Sequence, residues 1–330
     1  MIFSRRSSFT RAFNVTVIAL AAWGITPAAA QDRWPTKPVR IVVPFSAGGS
    51  TDLVARMVAQ KLATIWGQPV LIENRVGAGG NLGADMVSKS PADGYTILMA
   101  SGSITINPHI YKSMPFDTKK DLMPITSVAS GPMLIVVPDR SPVKSIKDLI
   151  KLAKDKPAAV NYGSAGVGSQ LHLAAENFAN AAKIDITHVP YRGESVAYAD
   201  LMGGQVQMML GNFAAASSLL GNNRLRALAV TSKERMPQLP DVPTASESGL
   251  LDFENSGWFG LLAPAGTPSN IVAKIQLDTA KILAETDTKA RLYIQGMSPV
   301  GNTPSEFSKA MDAESDRWAS LVKIRNLAAN

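Results

Sequence analysis

The chain has 330 residues, with 33 lysines and arginines against 26 aspartates and glutamates, and no cysteine. Without cysteine there is no disulfide framework, no thiolate nucleophile and no lipid-modified cysteine after a signal. The net charge of +7 is carried by scattered bases without interleaved aromatics, which argues against a nucleic-acid partner.

Residues 1–30 carry Arg5, Arg6 and Arg11, then the apolar run Val15–Ile25, then Ala28-Ala29-Ala30. This is the charged, apolar and small-residue order of a secretory signal peptide. The run is short of the roughly 20 apolar residues that an anchor needs. The expectation is cleavage after Ala30, leaving a periplasmic protein that does not span the membrane. The remaining chain, about 300 residues, exceeds the usual single core, so two lobes are expected.

Short β-rich runs then alternate with amphipathic stretches: Val39–Val43 and Leu53–Ile65, Val70–Glu73 and Leu82–Val87, then Thr96–Ala100 followed by a loop. Further along come Met133–Val137, Ile146–Ala153, Val160–Tyr162, Leu171–Ala181, Ile186–Val189, Val196–Met202, Val206–Leu210 and Leu225–Val230. Ser50 or Thr51, Ser145, Ser169 and Ser195 read as helix N-caps. Prolines 237, 240, 243, 264 and 268 punctuate loops, and Asn270–Glu285, Thr288–Gln295 and Pro304–Ile324 read as helices. Strands alternating with helices predict an α/β protein with parallel sheets. Residues 31–130 and 231–330 are assigned to one lobe and 131–230 to the other, so the chain crosses a hinge twice.

Several chemistries lack their residues. The loops GAGGNLG at 77–83 and GVGSQL at 166–171 miss the third glycine of the dinucleotide fingerprint, and no GxxxxGK[ST] is present. The three histidines, His109, His172 and His188, form no HExxH, and no serine lies in GxSxG. No cofactor, metal site or catalytic residue is expected, and the chain does not read as an enzyme.

Small-residue loops at strand ends remain. IVVPFSAGGSTD at 41–52 and VNYGSAGVGS at 160–169 each run from a strand through Ser-Ala-Gly into a helix. Ligands of open α/β sheets lodge beyond the carboxyl ends of strands. That places Phe45–Asp52, Ser101–Thr105, Tyr162–Ser169, Tyr191–Gly193 and Gly211–Asn212 together. Main-chain N–H groups at Ala47, Gly48, Gly49, Ala165 and Gly166, with hydroxyls of Ser46, Thr51, Ser164 and Ser169, form two candidate cradles for one carboxylate. Each glycine taken singly reads first as a tight turn, and it is the paired arrangement, one loop per lobe, that points to a site. Ser101, Ser103, Thr105, His172, Tyr191 and Asn212 are further candidates for the pocket wall, and Asp52 reads as a first-turn acid or a partner of Arg56.

The runs VPFSAGGSTDLVARMVAQKL, GQPVLIENRVGAGGNLGAD, NYGSAGVGSQLHLAAENF, HVPYRG and LPDVPTASESG strongly resemble the tripartite tricarboxylate transporter substrate-binding proteins, or Bug receptors. The resemblance covers essentially the whole mature chain. It implies a two-lobed type 2 periplasmic binding protein fold with a ligand cleft between lobes, in which a carboxylated small molecule is trapped by closure. It further implies delivery to a permease with one large and one small membrane subunit, or, alternatively, presentation of the closed form to a sensor domain; a monomer is expected. By position it implies a first-lobe cradle at Phe45–Thr51 with Ala78 and Gly79 beside it. The second-lobe cradle would be Ser164–Ser169, including Gly168, with Tyr191 and Arg192. Many relatives carry an aspartate where this chain has Gly211, which points to an acid without an amino group.

Overall fold

The computed structural model describes residues 34–156, 159–251 and 253–328, so the signal peptide expected over residues 1–30 lies outside the described residues. The elements below belong to one unit, which starts at Pro35. Among the described residues no helix is long and apolar enough to cross a membrane.

The first half is built on β1 (Val39–Val43), flanked in parallel by β2 (Val70–Asn74) and β3 (Thr96–Ser101). A strand with parallel neighbours on both sides and helices on its faces is largely buried, which is why VRIVV is apolar except at Arg40, the half-buried position, whose guanidinium pairs with Glu73 at 2.9 Å. Between these strands lie α1 (Ser50–Trp66) and α2 (Asn81–Ser88). Gly67 stops α1 in the left-handed conformation, φ 62°, and returns its N–H to the Ala63 carbonyl.

After β3 come α3 (Ser103–Ile110) and the short α4 (Thr118–Asp121), then β4 (Leu122–Pro138), a strand of 17 residues. The second half adds α5 (Ile146–Asp155), β5 (Asn161–Ser164), α6 (Gln170–Ala182) and β6 (Thr187–Pro190). It continues with α7 (Glu194–Gly203), β7 (Met208–Asn212), α8 (Phe213–Gly221) and β8 (Leu225–Val230). The chain then returns to the first half as β9 (Ser256–Pro264), α9 (Ser269–Ala284), α10 (Thr286–Ile294), β10 (Ser298–Pro299) and α11 (Pro304–Arg325).

Strand order is β2-β1-β3-β9-β4-β7-β5-β6, with β8 and β10 also on β4. The long strand joins the halves: Leu122–Pro132 pairs antiparallel with β9, whereas β7 and β8 pair with Met133–Pro138. Each half has its own core. Val42, Leu98, Leu122, Leu262 and Phe307 pack in the first, and Ile135, Leu149, Tyr162, Phe178 and Met208 in the second. The last helix starts at Pro304, as expected, behind a capping box of Thr303 and Glu306.

Three local expectations differ from the structure. Residues 103–110, read as loop, form α3 despite Ile104, Thr105, Ile106 and Pro108. Burial of Ile104, Ile106 and Ile110 outweighs their weak propensity. Pro108 has no N–H for the Ile104 carbonyl, which instead accepts the Thr118 hydroxyl at 3.4 Å. The segment 256–264, placed among proline loops, is the central strand β9, because its one proline stands at the last position and breaks no ladder. Finally, Ser145 and Ser169 cap helices as expected, but α1 and α7 are capped by Gly49 and Gly193. The Ser195 hydroxyl instead bonds the Ala47 carbonyl and Ser46 Oγ, both at 2.9 Å.

Candidate functional site

Pro44 ends β1, and residues 45–49 turn into α1 with Gly48 at φ 79°. Asp52 in the first turn ties this loop down. Its Oδ2 accepts the Gly48 N–H at 3.0 Å and Arg56 Nε at 2.8 Å, and its Oδ1 accepts Asn74 Nδ2 at 3.0 Å. Burial alone would raise this carboxyl, but these hydrogen bonds outweigh it and hold it below the ordinary range. The Gly48 N–H is therefore already spent. The N–H groups of Ala47, Gly49 and Thr51 have no acceptor among the described residues; Ala47 is exposed, whereas Gly49 and Thr51, at the positive end of a 17-residue helix, line the cavity.

The second cradle follows β5. Ser164 Oγ accepts the Gly166 N–H at 3.1 Å and lies 2.6 Å from His188 Nε2. Ser169 Oγ caps α6 through the His172 N–H, and Gly168 N–H donates to His172 Nδ1 at 3.1 Å. Gly166 thus shapes the loop without offering a free donor, a role different from the one expected for it. His172 stacks on His188 at 4.0 Å between ring centroids, and His188 on Tyr162 at 4.9 Å. Burial, with His188 as a second cause, pushes His172 down to about 2, and burial pushes His188 down to about 4. Both rings are neutral at pH 7, so this column backs the cradle without adding charge. Glu176, four residues after His172, pairs instead with the Tyr162 hydroxyl at 2.5 Å and Arg325 Nε at 3.0 Å.

The two cradles face one small cavity with room for about one water molecule. Of the expected residues, Phe45, Gly49, Thr51, Ser101, Ala165, Ser169 and Asn212 line it. Ser50, Gln170, Leu171 and Glu194 also line it, and the sequence reading missed them. Glu194 directly follows the Tyr191-Arg192-Gly193 loop at the first position of a helix, and that was the available signal. Ser103 bonds Ser101 Oγ at 3.1 Å, and Thr105 bonds the Gly102 carbonyl at 2.7 Å, so both stand behind the wall. Tyr191 is half-buried, its phenol pushed up to about 12 by burial and then by Asp200. Arg192 is exposed and has no hydrogen bond to either cradle.

The halves meet at a close seam. The Val167 carbonyl of the second half accepts the Tyr111 hydroxyl of the first at 3.0 Å, and within the first half Asn107 Nδ2 holds the seam loop by donating to the Gly79 carbonyl at 3.1 Å. A Cβ on Gly79 would lie 2.0 Å from Val167 O, one on Gly168 2.0 Å from Asn107 Oδ1, and one on Gly193 2.0 Å from Ser46 Oγ. Gly79 therefore belongs to the seam rather than to the cavity wall, and Ala78 beside it is exposed and does not line the cavity. Gly211 has no space for a side chain either, since its Cβ would stand 1.9 Å from the Tyr198 hydroxyl. Glu194 places a carboxylate beside this position, where it accepts the Asn212 N–H at 2.7 Å.

A larger groove of about 720 Å³ lies outside the seam, between α3, residues 111–119 and α11. It is open, and two pairs of its polar groups are engaged with each other: Lys119 Nζ pairs with Asp312 at 2.6 Å and His109 Nε2 bonds Ser315 at 2.8 Å. It gathers no set of backbone donors comparable to the cradles.

Residues 54–327 match the model of the family described as "Tripartite tricarboxylate transporter family receptor". Protein BugT of Bordetella pertussis is 35% identical over 318 residues, covering 96% of this chain and 98% of that protein. Rpa4515 of R. palustris, solved with adipate, shares 37% identity and superposes with a TM-score of 0.87, covering 89% of this chain and 99% of that one. MatC from Rhodopseudomonas palustris, solved with bound malate, shares 32% identity and has a TM-score of 0.81, covering 87% of this chain and 99% of that one. The motifs in the two cradles and the α/β topology thus agree with these similarities: the chain belongs to the tripartite tricarboxylate transporter receptor, or Bug, family of two-lobed solute-binding proteins.

Proposed function

We propose that the protein is a periplasmic receptor that captures a carboxylated small molecule, a di- or tricarboxylate or an aromatic acid, by closing two lobes over it. The captured acid would pass to a tripartite tricarboxylate-type permease, with the receptor acting as a monomer and performing no chemistry on it. The observation that carries this reading is the convergence on one small cavity of the α1 N-terminus, with unspent N–H groups at Gly49 and Thr51, and the Ala165–Ser169 loop. Such donors bind a carboxylate without a cationic partner. Solved relatives holding adipate and malate support the ligand class.

Residues 31–130 and 231–330 are proposed as one lobe and 131–230 as the other. Opening would bend the chain where β4 changes partners, between Pro132 and Met133, and in the return segment 231–255. The ligand-binding set is proposed as Phe45, Gly49, Ser50, Thr51, Ser101, Ala165, Ser169 and Asn212, with Gly79, Gly168 and Gly193 permitting closure.

A thermal-shift screen tests this with mature protein unfolded and refolded to strip retained ligand. The panel holds mono-, di- and tricarboxylates, aromatic acids and amino acids. A ligand at about 100 times its Kd adds about 2.7 kcal/mol to the folded state. At least one carboxylate is expected to raise Tm by several degrees, and silence across the panel would contradict the reading.

A further inference from the structure

The last helix, α11, is fixed to the first half along its first turns. Phe307 and Met311 sit in the first-half core, Glu314 Oε2 accepts the Thr105 hydroxyl at 3.0 Å, and Ser315 Oγ lies 2.8 Å from His109 Nε2. Its last turns meet the second half. Trp318, Leu321 and Val322 pack with Ile106 and Ile110 of α3 and with Leu173 of α6. One turn further on, Arg325 Nε donates to Glu176 Oε2 at 3.0 Å, and Arg325 Nη1 lies 3.9 Å from Asp185 Oδ1. Both acids belong to the second half, so α11 lies across the seam although the chain itself crosses only at β4 and in the segment 231–255.

This helix is stiff. Its 22 residues extend about 33 Å, it contains no glycine, and its one proline stands at the first position, so it has no site for a kink. Its end is closed as well: Asn326, at φ 50°, returns its N–H to the Val322 and Lys323 carbonyls, and the Leu327 N–H bonds the Val322 carbonyl at 3.0 Å. The acceptor is equally fixed. Glu176 is 5% exposed, and its other oxygen accepts the Tyr162 hydroxyl at 2.5 Å. The Tyr162 ring stacks on His188, whose Nε2 lies 2.6 Å from Ser164 Oγ in the second cradle.

We infer that Arg325 is a positioning residue for closure: by pairing with Glu176 it latches the end of α11 onto the second half, and so sets how long the lobes stay shut. The inference rests on the two-lobed receptor reading and deepens it. A stiff helix held by the first half cannot follow α6 when the lobes part, so opening separates Arg325 from Glu176. A charge-assisted hydrogen bond to a carboxylate this buried favours the closed form by about 10-fold or more. Breaking such a pair acts mainly on the rate of release.

Small-angle scattering and stopped-flow release of malate and adipate test this on mature protein unfolded and refolded to strip retained ligand. Ligand-free Arg325→Met and Glu176→Gln are each expected to show a larger radius of gyration than the unmodified protein. Each is expected to release whichever acid binds about 10-fold faster, and Arg325→Lys, which keeps the charge, to fall between. A cooperative melt checks that each variant folds, and Glu176→Gln, which keeps an acceptor for Tyr162, carries the test if Arg325→Met does not. Radii and release rates equal to those of the unmodified protein would overturn the inference, and a lower Tm alone would show that the pair only supports the fold. If neither acid binds, the ligand-free radii decide: larger radii in the variants support the latch, and equal radii overturn it. The receptor reading itself falls only if every acid of the thermal-shift panel fails to bind.

Discussion

Replacing Gly79 with alanine is expected to weaken ligand capture by about tenfold or more, a loss of at least about 1.4 kcal/mol, with the fold intact. Gly79 sits at φ 60°, and a Cβ there would approach the Val167 carbonyl, a backbone atom across the seam, to 2.0 Å. The left-handed backbone costs an alanine about 1–2 kcal/mol wherever it occurs, and that cost falls on open and closed forms alike. The clash exists only when the halves meet. Affinity scales with the fraction of molecules able to adopt the binding-competent form, so a penalty confined to the closed form appears directly in Kd. Gly67 supplies the control, with φ 62° and nothing within 4 Å of the position a Cβ would take. Gly67→Ala should lower Tm and leave Kd unchanged, whereas Gly79→Ala should lower affinity in calorimetry with the same ligand. Equal Kd values in the two variants would show that this seam does not form when ligand binds.

Acid is expected to destabilise the protein through the two stacked histidines, well before most carboxylates titrate. His172 is held down to about 2 and His188 to about 4, both below the 6.5 of a free histidine. Both are neutral bases in the folded state and protonate more readily when unfolded. Their stabilising contribution is therefore complete above pH about 6.5 and is lost as the pH falls toward the folded values. At pH 5 the loss is about 2 kcal/mol for each histidine. Urea denaturation at pH 7 and pH 5 should show it as a lower midpoint at unchanged slope. A variant with both His172→Asn and His188→Asn should lose much of that pH dependence, whatever its stability at pH 7. The chain has three histidines, so their NMR signals can be followed singly. Titration of both His172 and His188 near pH 6.5 in the folded protein would contradict the buried, neutral column.

Much of the fold was legible because it rests on local pattern. The β-branched run Val39–Val43, the amphipathic stretch behind it and the Thr303–Glu306 box each state their structure within a few residues. The misses are segments whose conformation is set from outside. Residues 103–110 are helical because Ile104, Ile106 and Ile110 are buried and Thr118 bonds the carbonyl that Pro108 leaves open. Residues 256–264 are a strand because β3 and β4 both lie ready to pair with them.

The cradles divide in the same way. Glycine-rich loops announce a close backbone approach, but not to what. Gly48 has open space around its Cβ position, the nearest atom being Ser195 Cβ at 3.9 Å, whereas Gly79 meets the opposite half directly. Nothing in the sequence ranks one above the other. Glu194 carried no signal beyond its helix-start position, since its partners Ser50 and Asn212 lie 144 and 18 residues away.

The most direct test of the central claim, that a carboxylate is held between the two cradles, is a crystal structure with the tightest acid from the screen. The account predicts ligand density between Phe45–Thr51 and Ala165–Ser169, with a carboxylate oxygen within hydrogen-bond distance of the Gly49 or Thr51 N–H. Density confined to the open groove between α3 and α11, lined by His109, Phe116 and Met311, would contradict it.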